Sequence, residues 1–248
     1  MVKGLDTFQK YFADYEEQYV LIGGAACDIL FESNEVNFRA TRDLDMVLIV
    51  EALTPEFGEK FWKFIVDGKY RNKATNGSNP QFYRFDKPED DNFPKMIELF
   101  CRSDFKLKNA KGITPIHIDD EVSSLSAILL NDDYYKALLN GKEVRKGLSV
   151  LRPEYIILFK AKAYLDLKKQ KDLGEKVDSS DIKKHKKDVL RIASELMLEK
   201  VEELPIAVDA DIHSFIDLLE QEPFDQNSLK RFGLKNEDVV EVLKQVFG

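Results

Sequence analysis

A chain of 248 residues that is 44% hydrophobic and 33% charged is long enough to bury a large core and too apolar for a disordered segment. No apolar run approaches the roughly 20 residues that a membrane-spanning helix needs, and the opening MVKGLDTFQKYF lacks the apolar segment of a secretory leader. The net charge of −8 argues against indiscriminate nucleic-acid binding but leaves room for a local basic patch. Cys27 and Cys101 sit in apolar segments without zinc-ligand spacing, as buried free thiols of a cytoplasmic protein would.

In chain order, Leu5, Phe8, Phe12 and Tyr15 recur at helical spacing and predict a helix over 5–17. Tyr19 to Ile22 reads as a short buried strand ending at Gly23-Gly24, and AACDILFE as a helix opening directly after the glycines. Residues 43–50 form the next apolar strand. Thr54 then Pro55 are an N-cap and first-turn proline for a helix over TPEFGEKFWKFIV. NGSNP at 76–80 is a turn cluster. QFYRF at 81–85 and KMIELF at 95–100 read as strands joined by the acidic turn DKPEDDN. ITPIHI, SLSAILL and KGLSVL read as further strands, with DDYYKALLNG a short helix between the last two. From Pro153 onward the chain reads as helical throughout. The expected organisation is a mixed α/β domain over 1–152 followed by a helical domain over 153–248.

Within ATRDLDMVLIV, Asp43 and Asp45 stand at the head of a strand. Side chains alternate across a strand, so the two carboxylates share one face, roughly 7 Å apart along the backbone, with Leu44 turned away. That spacing lets two acids share divalent cations, although an Asp-x-Asp alone is most often a pair of loop or edge acids. Two features add to it. A strand running into Gly23-Gly24 and a helix offers free backbone N–H groups as a phosphate seat. Glu98 interrupts the apolar MIELF and is costly to bury uncompensated. It is either a third carboxylate of a metal site or an exposed residue on a one-sided sheet.

VLIGGAACDILFE, RATRDLDMVLIV and the acid in MIELF, in that order, resemble the nucleotidyltransferase superfamily with the DNA polymerase β-like catalytic fold. The stretch Arg39-Ala-Thr41-Arg42-Asp43-Leu-Asp45 after a Gly-Gly is most similar to the AbiEii/AbiGii toxin-type nucleotidyltransferases. The resemblance covers residues 19–100 well and continues loosely to about 195. It implies an α+β fold: a nucleotidyltransferase-like mixed sheet with flanking helices, then a helical domain. It also implies Mg²⁺ or Mn²⁺ bound by Asp43, Asp45 and Glu98, with Glu98 taking the proton of the attacking hydroxyl. Gly23, Gly24 and Arg42 would contact the nucleotide. Glu98 stands where many relatives have Asp, which leaves open a second reading: an inactive nucleotide- or partner-binding protein that keeps the fold.

Ile156, Lys160, Ala163 and Leu167 share one face of the helix that follows Pro153. Lys160 either snorkels to the rim of that apolar stripe or, as the resemblance implies, reaches nucleotide phosphates. Asp188 either orients such a lysine or pairs on the surface with Lys184 at i,i+4. KKQKDLGEK and DIKKHKKDVLR concentrate positive charge between 168 and 191, as solvated helix faces or as an RNA-binding patch. That patch makes tRNA the favoured acceptor of NMP from an NTP, with protein hydroxyls second and small molecules such as aminoglycosides third. The toxin-type members imply a cognate antitoxin as partner. His117, His185 and His213 share no spacing, and none is assigned to metal.

Overall fold

The computed structural model describes residues 2–32, 43–72, 82–101, 128–129 and 131–248. The chain forms two compact units, Met1–Ile118 with Lys142–Leu151, and Asp119–Gly141 with Arg152–Gly248. The chain crosses between them three times, after Ile118, Gly141 and Leu151, so the second unit takes in Asp119–Gly141 as well as the residues from Arg152 onward.

The first unit is built on a seven-stranded mixed sheet. Its strands are β1 (Tyr19–Ile22), β2 (Asp43–Leu48), β3 (Arg71–Asn72), β4 (Phe82–Asp86), β5 (Met96–Cys101), β6 (Lys142–Arg145) and β7 (Leu148–Leu151). They lie in the order β3-β4-β5-β2-β1-β7-β6. Strand β2 runs parallel to β5 and antiparallel to β1, and β1 is parallel to β7. A mixed sheet with flanking helices and a helical C-terminal half is the architecture the sequence predicts.

One face of this sheet is set by aromatic residues on α1 (Leu5–Phe12) and α3 (Pro55–Asp67). Phe8, Phe12, Phe57, Phe61 and Phe64 are fully buried. They meet the sheet edge-on: Phe8 against Tyr19 and Phe61 against Phe85, both with ring centroids 5.5 Å apart. Edge-to-face pairs of this kind add about 0.5–1.5 kcal/mol beyond area burial. The register puts Leu21, Met46 and Leu99 in line on that same face, which turns Asp45 and Glu98 to the opposite one.

Several local features differ from the sequence pattern. The first helix stops at Phe12 instead of 17, because Asp14 adopts φ 72 and a 3-10 turn at Glu16–Gln18 follows. Helix α2 (Gly23–Glu32) takes in both glycines. Thr54 caps α3 as expected, accepting from the Phe57 N–H at 3.3 Å. KGLSVL is half of a hairpin in which β6 pairs with β7. Lys146 and Gly147 at its turn both have positive φ, the pattern of the two-residue turn that suits strand twist. Ile128 and Leu129, within an expected strand, are helical. NGSNP, ITPIHI and the rest of SLSAILL lie outside the described residues.

In the second unit the described residues form helices α4 (Asp132–Gly141), α5 (Pro153–Asp172), α6 (Ser179–Glu195), α7 (Ile206–Gln221), α8 (Gln226–Phe232) and α9 (Asn236–Phe247). The central α5 is buried on most sides, with Phe159 edge-on to Tyr134 of α4 and Tyr164 edge-on to Phe215 of α7. The Tyr134 hydroxyl donates to Asp211 at 3.0 Å. Gly141 is required where α4 meets α5, since a Cβ there would come 2.2 Å from Tyr155. No described helix is long and apolar enough to cross a membrane.

Candidate active site

The acidic face of the sheet is organised by three chain segments that meet at one end. Strand β1 ends at Ile22, directly opposite Asp45, and α2 starts at the next residue. On the other side of β2, Asp45 is in register with Glu98, and Asp43 with Met96. Paired residues in a sheet project to the same face, so Asp43, Asp45 and Glu98 share one side. They stand at the end where β1 gives way to α2.

Gly23 makes that approach possible. Its φ of +60 lies in the left-handed region, and a Cβ at this position would lie 2.3 Å from Oδ2 of Asp45. Only glycine satisfies both conditions without strain. The first turn of α2 carries no acidic side chain of its own, and the Asp45 carboxylate lies against its first residue, at the positive end of the helix dipole. The strand–Gly–Gly–helix signal therefore survives in the structure, with the helix opening two residues earlier than the sequence suggests.

Glu98 is buried and is held by Arg84, its cross-strand partner on β4. Arg84 donates from Nε at 2.8 Å, and its terminal nitrogen lies 2.6 Å away. Both contacts fall on Oε1, so the burial of this carboxylate is compensated by a guanidinium. Arg84 is the site residue that sequence reasoning missed. In QFYRF it is one charge in an aromatic run, and only the register of β4 against β5 places it over Glu98.

Whether these residues suit a divalent cation divides in two. Asp43 and Asp45 offer hard carboxylate oxygens on one face, which suits Mg²⁺ or Mn²⁺. Among the described residues, however, no group of three or more His, Cys, Asp or Glu side chains is placed to hold a metal ion. Glu98 is directed to Arg84, leaving its Oε2 as the atom through which it would join the pair. His185 is buried and His213 sits exposed on α7, both in the second unit. Cys27 and Cys101 are buried and form no disulfide.

Lys160 and Asp188 belong to the second unit and are brought together there, Nζ to Oδ2 at 3.0 Å, with side chains only 13% and 8% exposed. Such a pair is costly to desolvate and costly to break. The Asp188 carboxylate thus has a buried partner in Lys160. Arg42, together with Arg39 and Thr41, lies outside the described residues.

No protein-family model matches this chain, and neither does any curated protein. Among solved structures, it is similar to an antigenic nucleotidyltransferase-like protein from Paracoccidioides brasiliensis. The two are 16% identical, with a TM-score of 0.47, over 98% of this chain and 93% of the other.

Proposed function

We propose that the chain is a metal-dependent nucleotidyltransferase that moves NMP from an NTP to an acceptor hydroxyl and releases pyrophosphate. The observation that carries the reading is the register of Asp45 with Glu98, two positions from Asp43, while the Asp45 carboxylate rests against Gly23 at the start of α2. Asp43 and Asp45 would hold Mg²⁺ or Mn²⁺ through carboxylate oxygens, and Glu98, turned to Arg84 through Oε1, would join them through Oε2. A divalent ion bound there would neutralise charge on the α-phosphate and on the leaving pyrophosphate. The N–H groups of Gly23 and Gly24 receive phosphate oxygens at the helix start. The acceptor oxygen attacks the α-phosphorus, the bond to the bridging oxygen of the β-phosphate breaks, and Glu98 takes the acceptor's proton. Arg84 fixes the Glu98 carboxylate by holding Oε1. Arg42 and Lys160, the latter held by Asp188, are assigned to nucleotide phosphate on the strength of the sequence resemblance.

The decisive experiment is transfer of label from α-labelled NTPs to RNA and protein acceptors, comparing the wild type with Asp43→Ala/Asp45→Ala. Equal labelling by the double variant would end the metal-site reading. tRNA remains the favoured acceptor and protein the second. RNA binding through several phosphates weakens steeply with salt, so a flat salt response removes RNA. The toxin-type placement, with a cognate antitoxin, rests on the Arg39–Asp45 stretch. Co-purification with the product of an adjacent reading frame tests it.

The bond from Arg84 to Glu98 Oε1 favours one alternative, a nucleotide-binding protein that keeps the fold without turnover. Calorimetry with each NTP and Mg²⁺, run beside pyrophosphate release, separates the two: binding without release across a broad acceptor panel supports the alternative.

A further inference from the structure

The second unit holds a cavity of about 590 Å³ between α5, α6 and the turn leading into α8. That volume is within the range of small-ligand pockets. Lys168, Lys171, Lys183, Lys186 and Lys187 line it, against the carboxylates of Asp172, Glu222 and Asp225.

Two of those three carboxylates have partners in the cavity wall itself. Asp225 caps α8, accepting from the N–H and the hydroxyl of Ser228, both at 2.9 Å. Glu222 accepts from Lys168 and from the Tyr164 hydroxyl. Lys171 donates to the Ser179 hydroxyl at 2.6 Å. Lys183 and Lys187 are exposed, and Lys187 helps to hold the Asp225 carboxyl below its ordinary range, after the hydrogen bonds from Ser228.

Lys186 differs from the others. Its Nζ donates to the main-chain carbonyls of Glu222 and Pro223 and lies 5.7 and 5.5 Å from the ring centres of Tyr164 and Phe224. Burial pushes its ammonium below the usual lysine range, and only Glu222 pulls it back. A half-buried cation fixed by carbonyls and ring faces, flanked by the exposed Lys183 and Lys187, is preorganised to receive an anion.

No arginine lines the cavity. Arginine's planar fork suits carboxylates, whereas converging lysines act as point charges and suit a multiply charged oxyanion. We propose that this cavity is a phosphate-binding site, taking the phosphate groups of a free oligophosphate or of a nucleic-acid strand. The proposal concerns the helical unit and does not depend on the reading of Asp43 and Asp45.

The test uses the full chain carrying Asp43→Asn/Asp45→Asn, in EDTA, so that metal-dependent nucleotide binding is silent and the two proposals fail separately. Sodium tripolyphosphate and a single-stranded RNA oligonucleotide are titrated by calorimetry, one in each arm. Lys183→Glu/Lys187→Glu changes exposed side chains and is checked for unchanged thermal unfolding. Binding that falls at least tenfold in this variant supports the site, and the arm in which it falls names the phosphate source. Lys186→Gln should weaken the same arm. Absence of binding in both arms, or binding that the lysine variants leave unchanged, overturns the proposal.

Discussion

The carboxylate of Asp45 occupies the space where a side chain on Gly23 would begin, its Oδ2 lying 2.3 Å from the position of a Cβ there. Gly23→Ala must therefore move the acid as well as hold a left-handed backbone, which alone costs about 1–2 kcal/mol. We expect a lower urea midpoint and at least a tenfold loss of NMP transfer. Gly58, inside α3, is the internal contrast: nothing lies within 4 Å of its added Cβ. Gly58→Ala should stabilise by about 0.5–1 kcal/mol and leave transfer unchanged. If the two variants behave alike, the packing of Gly23 on Asp45 is wrong.

The Arg84–Glu98 bond predicts strong coupling. Arg84→Met leaves a buried carboxylate without its cation, at a cost of about 3 kcal/mol. Adding Glu98→Gln removes the stranded charge and should recover part of that stability. Urea unfolding of the four proteins gives the coupling, expected at about 1–3 kcal/mol. Additive effects would mean that the two side chains do not meet in solution.

Lys160 and Asp188 permit a test that separates structure from function. Breaking a buried pair by removing one partner costs about 3–5 kcal/mol, whereas replacing both with apolar residues is often close to neutral. Lys160→Met or Asp188→Leu alone should thus destabilise strongly, and the double variant should regain most of the lost stability. On the functional assignment of Lys160, transfer stays low in the double variant although stability returns. Recovery of both would make the pair purely structural.

The sequence makes local rules legible and long-range partners obscure. Thr54 and Pro55 mark the start of α3 because capping and first-turn geometry depend on neighbouring residues. Asp43 and Asp45 show themselves because strand alternation has a period of two, and Gly23 because a turn with positive φ needs glycine. Arg84 is different: its role depends on which strand pairs with β5 and in what register, and no pattern within QFYRF encodes that. Strand β6 was obscured by its charge, since KEVR resembles a loop until Lys146-Gly147 is recognised as a hairpin turn. The assignment of α4 to the second unit depends on Tyr134 reaching Phe159 and Asp211, contacts far apart in the chain. Lys160 stands out in the sequence as a charge in an apolar stripe, but that Asp188 meets it depends on how α6 packs against α5.

Glu154, buried in the first turn of α5, predicts a pH dependence of stability with a definite sign. Its Oε1 accepts from the Glu199 N–H at 2.6 Å. Desolvation nevertheless outweighs that bond and the nearby Arg152, and lifts the carboxyl above its ordinary value of 4.5. The folded chain therefore holds this proton more tightly than the unfolded chain does. Below 4.5 both states are protonated and the stabilising contribution is fully present. As pH rises from there through the raised value, the unfolded state ionises first and stability falls, by the linkage between proton binding and folding. Above the raised value the loss is complete and constant. Glu154→Gln keeps the acceptor for Glu199 but has no proton to release. The wild type's stability relative to this variant should decline across that window and then level off, read by urea unfolding from about pH 4 to pH 8. A difference that grows with pH would contradict the dominance of desolvation at this position.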